Sequence, residues 1–97
     1  MAGPVKIVAG AAQIDTHIDL NVNLDKIETS MRQASRRGCN VLLFHEGCLT
    51  GYPDDKQVKR LDFDLVIRAE KKVQRLAKRL GMAVLLGSTS SQGKDIF

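Results

Sequence analysis

The sequence predicts an α/β fold in which apolar strands alternate with amphipathic helices. Three short apolar runs and two helical patterns follow one another in the order strand, helix, strand, helix, strand. Each helical pattern is apolar on one side only, so each helix is expected to cover a sheet. The strand runs are nearly continuous in apolar residues, which is typical of buried parallel strands. We therefore expect a βαβαβ unit with mainly parallel strands.

The first strand and the first helix come before residue 40. Val5–Gln13 (VKIVAGAAQ) is predicted as a buried strand. Asn21–Arg37 is predicted as a helix because apolar residues recur at spacings of four, three, four and three, at Leu20, Leu24, Ile27, Met31 and Ala34. Asn21 or Asn23 is expected to cap its start, and Gly38 to follow its end in a left-handed conformation.

The second half of the pattern repeats this arrangement. Val41–Phe44 is the second predicted strand. A second helix is predicted from Asp62 or Asp64 to Leu80, with its apolar stripe at Val66, Ala69, Val73, Leu76, Ala77 and Leu80. Gly81 ends this helix, and Met82–Gly87 is the third predicted strand.

The order of the elements predicts an incompletely covered sheet. Right-handed crossovers put successive helices on one face when the strands lie in sequential order. The other face would then expose an apolar patch of roughly several hundred square ångströms, which is unusual for a monomer. We therefore expect a homo-oligomer formed through this sheet face. We also interpret residues 1–97 as the N-terminal part of a larger domain, which is incomplete here.

Composition limits the possible classes of protein. The chain has 97 residues, of which 43% are hydrophobic and 27% are charged, as in an ordinary globular domain. No apolar run approaches the roughly 18 residues that a membrane span needs, and the N-terminus does not resemble a signal peptide. We therefore expect a cytoplasmic protein without a membrane partner. Cys39 and Cys48 are expected to be thiols, and no ligand spacing predicts a metal site.

The net charge of +4 comes mainly from one basic segment. Its cations are Lys59, Arg60, Arg68, Lys71, Lys72, Arg75, Lys78 and Arg79. Such a segment is more often the solvated side of a helix than a nucleic-acid contact. With four aromatic residues in the chain, no stacking platform for single strands is evident, so a nucleic-acid partner is not favoured.

Glu46 is the main candidate for chemistry. It follows the second predicted strand with only His45 between them, and ligands bind at the carboxyl ends of strands in open α/β sheets. A carboxylate held there against apolar neighbours tends to have a raised pKa and can act as a general base. The turn-prone segment Leu49–Pro53 follows and is expected to shape a pocket. The alternative interpretation is a carboxylate that only caps or pairs locally.

Three segments of the chain resemble the nitrilase superfamily of carbon–nitrogen hydrolases. Lys6–Gln13, with Asp15 and Asn23 at family spacing, is similar to the opening strand. The most specific match is the second strand with Glu46 and the Leu-Thr-Gly-Tyr-Pro loop, and Val84–Gly87 resembles the third strand. The similarity covers nearly the whole chain but only about the first third of a family domain. One departure is His45, where the family most often has proline.

The resemblance implies an αββα sandwich and a Glu-Lys-Cys triad that hydrolyses a non-peptide C–N bond. Glu46 matches the general base, and Leu49 and Tyr52 would shape the pocket for a small amide, a carbamoyl compound or glutamine. The triad lysine and cysteine would fall beyond Phe97, so the 97-residue chain alone is expected to be inactive. No metal or organic cofactor is implied.

Other candidate residues are less specific. Cys48 lies two residues after Glu46, but a small apolar side chain at the loop edge is the favoured interpretation. The segment Gly87–Lys94 lacks the spacing of a P-loop and is better explained as a polar hairpin. His17 and His45 are isolated in the sequence, which is typical of surface or core histidines.

A second hypothesis comes from a different class of protein. The chain could be a non-catalytic, flavodoxin-like binding module whose basic helix contacts an acidic partner or nucleic acid. In that case the two helices would lie on opposite faces of a fully covered sheet. The position of the helices therefore discriminates between the two hypotheses.

Overall fold

A computed structural model describes residues 7–17, 19–45, 47–51 and 62–87. In chain order, the elements among them are β1 (Ala9–Ala12), α1 (Leu20–Arg36), β2 (Val41–Phe44), α2 (Phe63–Leu80) and β3 (Ala83–Leu85). Strands and helices alternate as predicted.

The strands form one parallel sheet in the order β1-β2-β3. Ala9 aligns with Val41, which aligns in turn with Ala83, and Ala12 aligns with Phe44. Each strand therefore lies next to its neighbour in the chain, and the carboxyl ends of the strands meet at one edge of the sheet. This arrangement confirms the predicted α/β class with parallel strands.

Both helices lie on the same face of this sheet. In β2, Leu42 and Phe44 are buried while Leu43 is 42% exposed, because alternate strand residues point to opposite faces. Helices α1 and α2 pack against each other over the buried face. The flavodoxin-like alternative required helices on opposite faces, and the structure does not have that arrangement. The buried apolar residues are Leu24, Ile27, Met31, Ala34, Leu42, Phe44, Cys48, Leu49, Val66, Ala69, Val73, Leu76 and Met82.

The other face of the sheet has no cover among the described residues. Ala9 and Ala11 of β1 are exposed there. Leu43 of β2 aligns with Ala11, and Leu85 of β3, which is 57% exposed, aligns with Leu43. An aliphatic surface therefore faces away from the helices, as the order of the elements predicts.

The start of α1 differs from the sequence prediction. Asp19 is the N-cap residue, and its carboxylate accepts a hydrogen bond from the Asn21 backbone N–H at 2.9 Å. The prediction that Asn21 or Asn23 caps this helix is therefore wrong. Asn23 lies four residues before Ile27, on the inner side of the helix, so its side chain points into the protein and away from the helix end.

The other helix ends agree with the sequence. Asp62 caps α2, and its carboxylate accepts hydrogen bonds from the backbone N–H groups of Asp64 and Leu65 at 3.0 and 3.2 Å. Gly81 follows α2 with φ 64°, and Gly38 follows α1 with φ 80°. Both glycines adopt the left-handed conformation that L-residues disfavour.

Strands β1 and β3 are shorter than the apolar runs that predict them, whereas β2 has the predicted bounds. Strand β3 begins at Ala83 because the Met82 backbone N–H still bonds to the Ala77 carbonyl at the end of α2, at 3.0 Å. At β1, the Val8 backbone N–H donates to the Asn40 side-chain oxygen at 3.0 Å. That contact precedes the regular ladder, which starts at Ala9.

Candidate functional site

The candidate site is the carboxyl end of β2, where the sequence has Glu46 directly after His45. Glu46 and Tyr52 lie outside the described residues, so their roles as base and pocket residue stay predictions. The described neighbours are His45 and the turn formed by residues 47–51, hereafter the 47–51 turn. These neighbours define how the chain is held on both sides of position 46.

The 47–51 turn is compact and buried throughout. The Gly51 backbone N–H donates to the Gly47 carbonyl oxygen at 2.7 Å and closes the turn. Gly51 has φ 74°, and a Cβ placed on it would lie 3.6 Å from the His17 carbonyl oxygen. The turn therefore packs directly against the connection between β1 and α1.

Two side chains of this turn enter the hydrophobic core. Leu49 and Cys48 both have no exposed surface. Leu49 was predicted to shape a substrate pocket, and that role stays a prediction. Burial raises the pKa of the Cys48 thiol to about 11, against a smaller opposing effect of a backbone hydrogen bond. A thiol with that pKa stays protonated near neutral pH, which agrees with the interpretation of Cys48 as a packing residue.

His45 connects the ends of two strands. Its Nε2–H donates to the Ile14 carbonyl oxygen at 3.1 Å, so the residue before Glu46 is attached to the chain that leaves β1. A proline at this position could not make that side-chain bond. His17 lies on the surface, and its Nδ1 accepts from the Asp19 backbone N–H at 3.0 Å.

Sequence reasoning missed the part that Asn23 plays beside this site. Its side chain has no exposed surface, and its amide nitrogen donates to the Leu49 carbonyl oxygen at 2.8 Å. The position of Asn23 in the helical pattern could have revealed this role. Asn23 is a polar residue four places before Ile27, in a stripe that is otherwise apolar.

Open grooves run beside α1. One, of about 360 Å³, is lined by Ile14, Asp15, Asp25, Lys26, Thr29 and Ser30. Another, of about 330 Å³, follows β1 and includes Cys39. Neither groove includes a residue of the 47–51 turn. Within the described ranges, no three His, Cys, Asp or Glu side chains come together in a way that would hold a metal ion.

Comparison with protein-family models identifies the class of protein. The carbon-nitrogen hydrolase model matches residues 8–97, which is most of the chain. The chain therefore belongs to the carbon-nitrogen hydrolase family, the nitrilase superfamily. A search of curated protein sequences gives no significant match.

Of the described helices, none combines the length and the apolar character that crossing a membrane requires.

Solved structures with a similar fold are amidases from Nesterenkonia. One, from strain AN1, is 22% identical with a TM-score of 0.81, and the match covers 91% of this chain and 35% of the amidase. A double mutant of the AN1 amidase in complex with acrylamide is 22% identical with a TM-score of 0.81, covering 94% and 37%. A third amidase structure from the genus is 23% identical with a TM-score of 0.71, covering 86% and 33%. The chain spans about a third of their length, and at this identity the likeness concerns the fold.

Proposed function

We propose that this chain is the N-terminal part of an amidohydrolase that cleaves a non-peptide C–N bond, with Glu46 as its general base. The observation that carries this proposal is the family match over residues 8–97, in which Glu46 follows β2 with His45 between them. The carboxyl ends of parallel strands are where α/β enzymes bind ligands. The substrate is a small amide, a carbamoyl compound or glutamine, and Leu49 and Tyr52 shape its pocket.

In the proposed reaction the chain contributes one of three catalytic groups. Glu46 takes the proton of a cysteine thiol, whose sulfur attacks the amide carbon while a lysine stabilises the oxyanion. Ammonia or an amine leaves, and water activated by the same carboxylate hydrolyses the thioester. No residue of these 97 is assigned to the lysine or the nucleophile. Cys48 is not a candidate nucleophile, because its side chain is buried and burial raises the pKa of its thiol to about 11. The reaction as proposed uses no metal or organic cofactor.

The test is substitution of Glu46 in the complete hydrolase. Glu46→Gln preserves size and removes the base, so amide turnover should fall about 10²- to 10⁴-fold. Glu28→Gln makes the same chemical change on α1 and should leave turnover unchanged. Ammonia release from a panel of small amides and glutamine measures both variants. Turnover by Glu46→Gln equal to that of Glu28→Gln would refute the proposed base.

The 97-residue chain alone is proposed to be inactive, since it supplies the base without the nucleophile. Residues 1–97 form the first part of one hydrolase domain in this proposal, and the domain works in the cytoplasm, consistent with the free thiols of Cys39 and Cys48. Purified chain should release no ammonia from any amide. A release rate that follows the protein through purification, at constant specific activity, would contradict this.

We also propose that the isolated chain self-associates through the exposed sheet face. The support is the aliphatic surface that contains Leu43 and Leu85, 42% and 57% exposed. A second copy offers the same surface, so pairing the two faces would remove both from water.

A further inference from the structure

The side chain of Asn23 is a polar group enclosed in the core. It lies in the first turn of α1 and has no exposed surface. Its Oδ1 accepts from the His17 backbone N–H at 2.6 Å, and its Nδ2 donates to the His17 carbonyl oxygen at 2.7 Å. The second hydrogen of Nδ2 is donated to the Leu49 carbonyl oxygen at 2.8 Å. One carboxamide therefore connects three backbone groups from two separate segments.

Asparagine is the side chain that fits this set of partners. His17 offers one donor and one acceptor, and Leu49 offers a second acceptor. Aspartate has the same shape but no hydrogen to donate, so two carbonyl oxygens would face a buried carboxylate. Leucine would leave all three backbone groups without these partners, and glutamine would be too long by one methylene.

The segments on both sides of position 46 are fastened to the same connection between β1 and α1. His45 bonds to the Ile14 carbonyl oxygen at 3.1 Å, before position 46. After it, Asn23 bonds the centre of the 47–51 turn to His17. The turn itself is closed by a 2.7 Å bond between Gly51 and Gly47. The described residues on both sides of position 46 are thus held by hydrogen bonds to the connection between β1 and α1.

We propose that Asn23 is a positioning residue for the reaction at the carboxyl end of β2. Its carboxamide fixes the 47–51 turn, the segment directly after position 46, against the β1–α1 connection. The inference rests on the proposed role of Glu46 for its catalytic part. The hydrogen bonds between Asn23, His17 and Leu49 are independent of that role.

The first experiment tests, in the 97-residue chain, whether the hydrogen bonds of Asn23 hold the 47–51 turn in place. Asn23→Asp and Asn23→Ser each remove the donation to Leu49, and Asn21→Asp and Asn21→Ser are matched controls at an exposed position in the same helical turn. Amide hydrogen exchange at Gly51 should accelerate at least tenfold in both Asn23 variants and in neither control. The serine variant adds no charge, so it keeps the test informative if Asn23→Asp does not fold. Unchanged exchange at Gly51 in a folded Asn23 variant would overturn the proposal.

The second experiment tests positioning in the complete hydrolase. Asn23→Ser should lower kcat about tenfold with KM within twofold, and should shift the acidic limb of the pH–rate profile. Loss of folded protein alone would lower the apparent kcat without moving that limb. Faster exchange at Gly51 with an unchanged limb would therefore reduce Asn23 to a structural role and overturn the proposal. Activity retained by Glu46→Gln would instead refute the proposed base. The exchange rate at Gly51 would still show whether Asn23 holds the 47–51 turn.

Discussion

The thiol of Cys48 faces the carbonyl oxygen of Gly87 with 4.0 Å between Sγ and oxygen. This contact joins the 47–51 turn to the chain leaving β3, across 39 positions of sequence. It brings together the carboxyl ends of β2 and β3, where the parallel sheet is expected to bind its ligand. Because the thiol is enclosed there, its ionisation is coupled to folding.

Stability should decrease at alkaline pH because of Cys48. Burial raises the pKa of this thiol to about 11, above the roughly 8.5 of an unfolded cysteine. The stability that the buried thiol contributes is fully present below the pKa of the unfolded cysteine. It is lost as pH rises through the pKa of the thiol in the folded protein, because the unfolded chain releases the proton first. The free energy of unfolding should fall by at most about 1.4 kcal/mol per pH unit in this window.

Urea unfolding at pH values from 7 to 11 measures this effect, and Cys48→Ala is the control. The alanine variant should be less stable at pH 7 but should have a shallower alkaline decline. Parallel stability curves for the two proteins would contradict the coupling. Thiol-reactive reagents should also modify partly buried Cys39 before Cys48 in the native state.

Removing the cap of α2 should destabilise the protein. The Asp62 carboxylate accepts two backbone hydrogen bonds, so Asp62→Ala should lower the free energy of unfolding by about 1 kcal/mol. Asp62→Asn keeps an acceptor oxygen and should retain most of the stability. Thermal and urea unfolding followed by circular dichroism measure the difference. An alanine variant as stable as the asparagine variant would show that the cap contributes nothing.

A side chain at Gly51 should strain the 47–51 turn. With φ 74°, Gly51→Ala should destabilise by about 1–2 kcal/mol. Gly38→Ala is the matched control, because Gly38 has φ 80° and a Cβ there would meet nothing within 4 Å. Both variants should lose similar stability in urea, since the contacts of a Cβ at Gly51 are at ordinary distances. Gly51→Asn should cost less, because asparagine tolerates the left-handed region. A Gly51→Ala variant with wild-type stability would rule out this strain.

Charges on the exposed sheet face should weaken self-association. Leu43→Lys and Leu85→Lys place a cation on the aliphatic surface, so the average mass by light scattering should fall towards that of a monomer. Ile67→Lys is the control, because Ile67 is 46% exposed on the outer side of α2. A wild-type chain that is monomeric at high concentration would refute this mode of association. So would an equal effect of the Ile67 variant.

Much of the fold could be predicted because local patterns and packing agree. In α2, the apolar stripe, the acidic cap and the final glycine all indicate the observed helix. The sequential parallel sheet with both helices on one face followed from the handedness of the crossovers. Strand ends were less predictable, because Met82 is apolar but bonds to the end of α2 and not to β2.

The candidate site was predicted less completely, for a physical reason. Glu46 is a candidate because of its place after an apolar strand, which is a local signal, and its role stays a prediction. Asn23 and Leu49 lie 26 positions apart, and only the folded chain brings them together. Asparagine occurs both as a helix N-cap and as a buried side chain that binds backbone groups. Because Asn23 is near the start of α1, the sequence favoured the cap, which is the wrong role.

The outer side of α2 has a consequence for handling the protein. Its exposed cations are Arg68, Lys71, Lys72, Arg75, Lys78 and Arg79. The molecule thus resembles a surfactant, with charged side chains on the outer side of α2 and aliphatic side chains on the uncovered face of the sheet. Dilute buffer lets these cations repel neighbouring molecules over about 30 Å at 0.01 M salt, but over only about 3 Å at 1 M. Concentrated stocks should therefore keep longest without precipitation in buffers of low ionic strength.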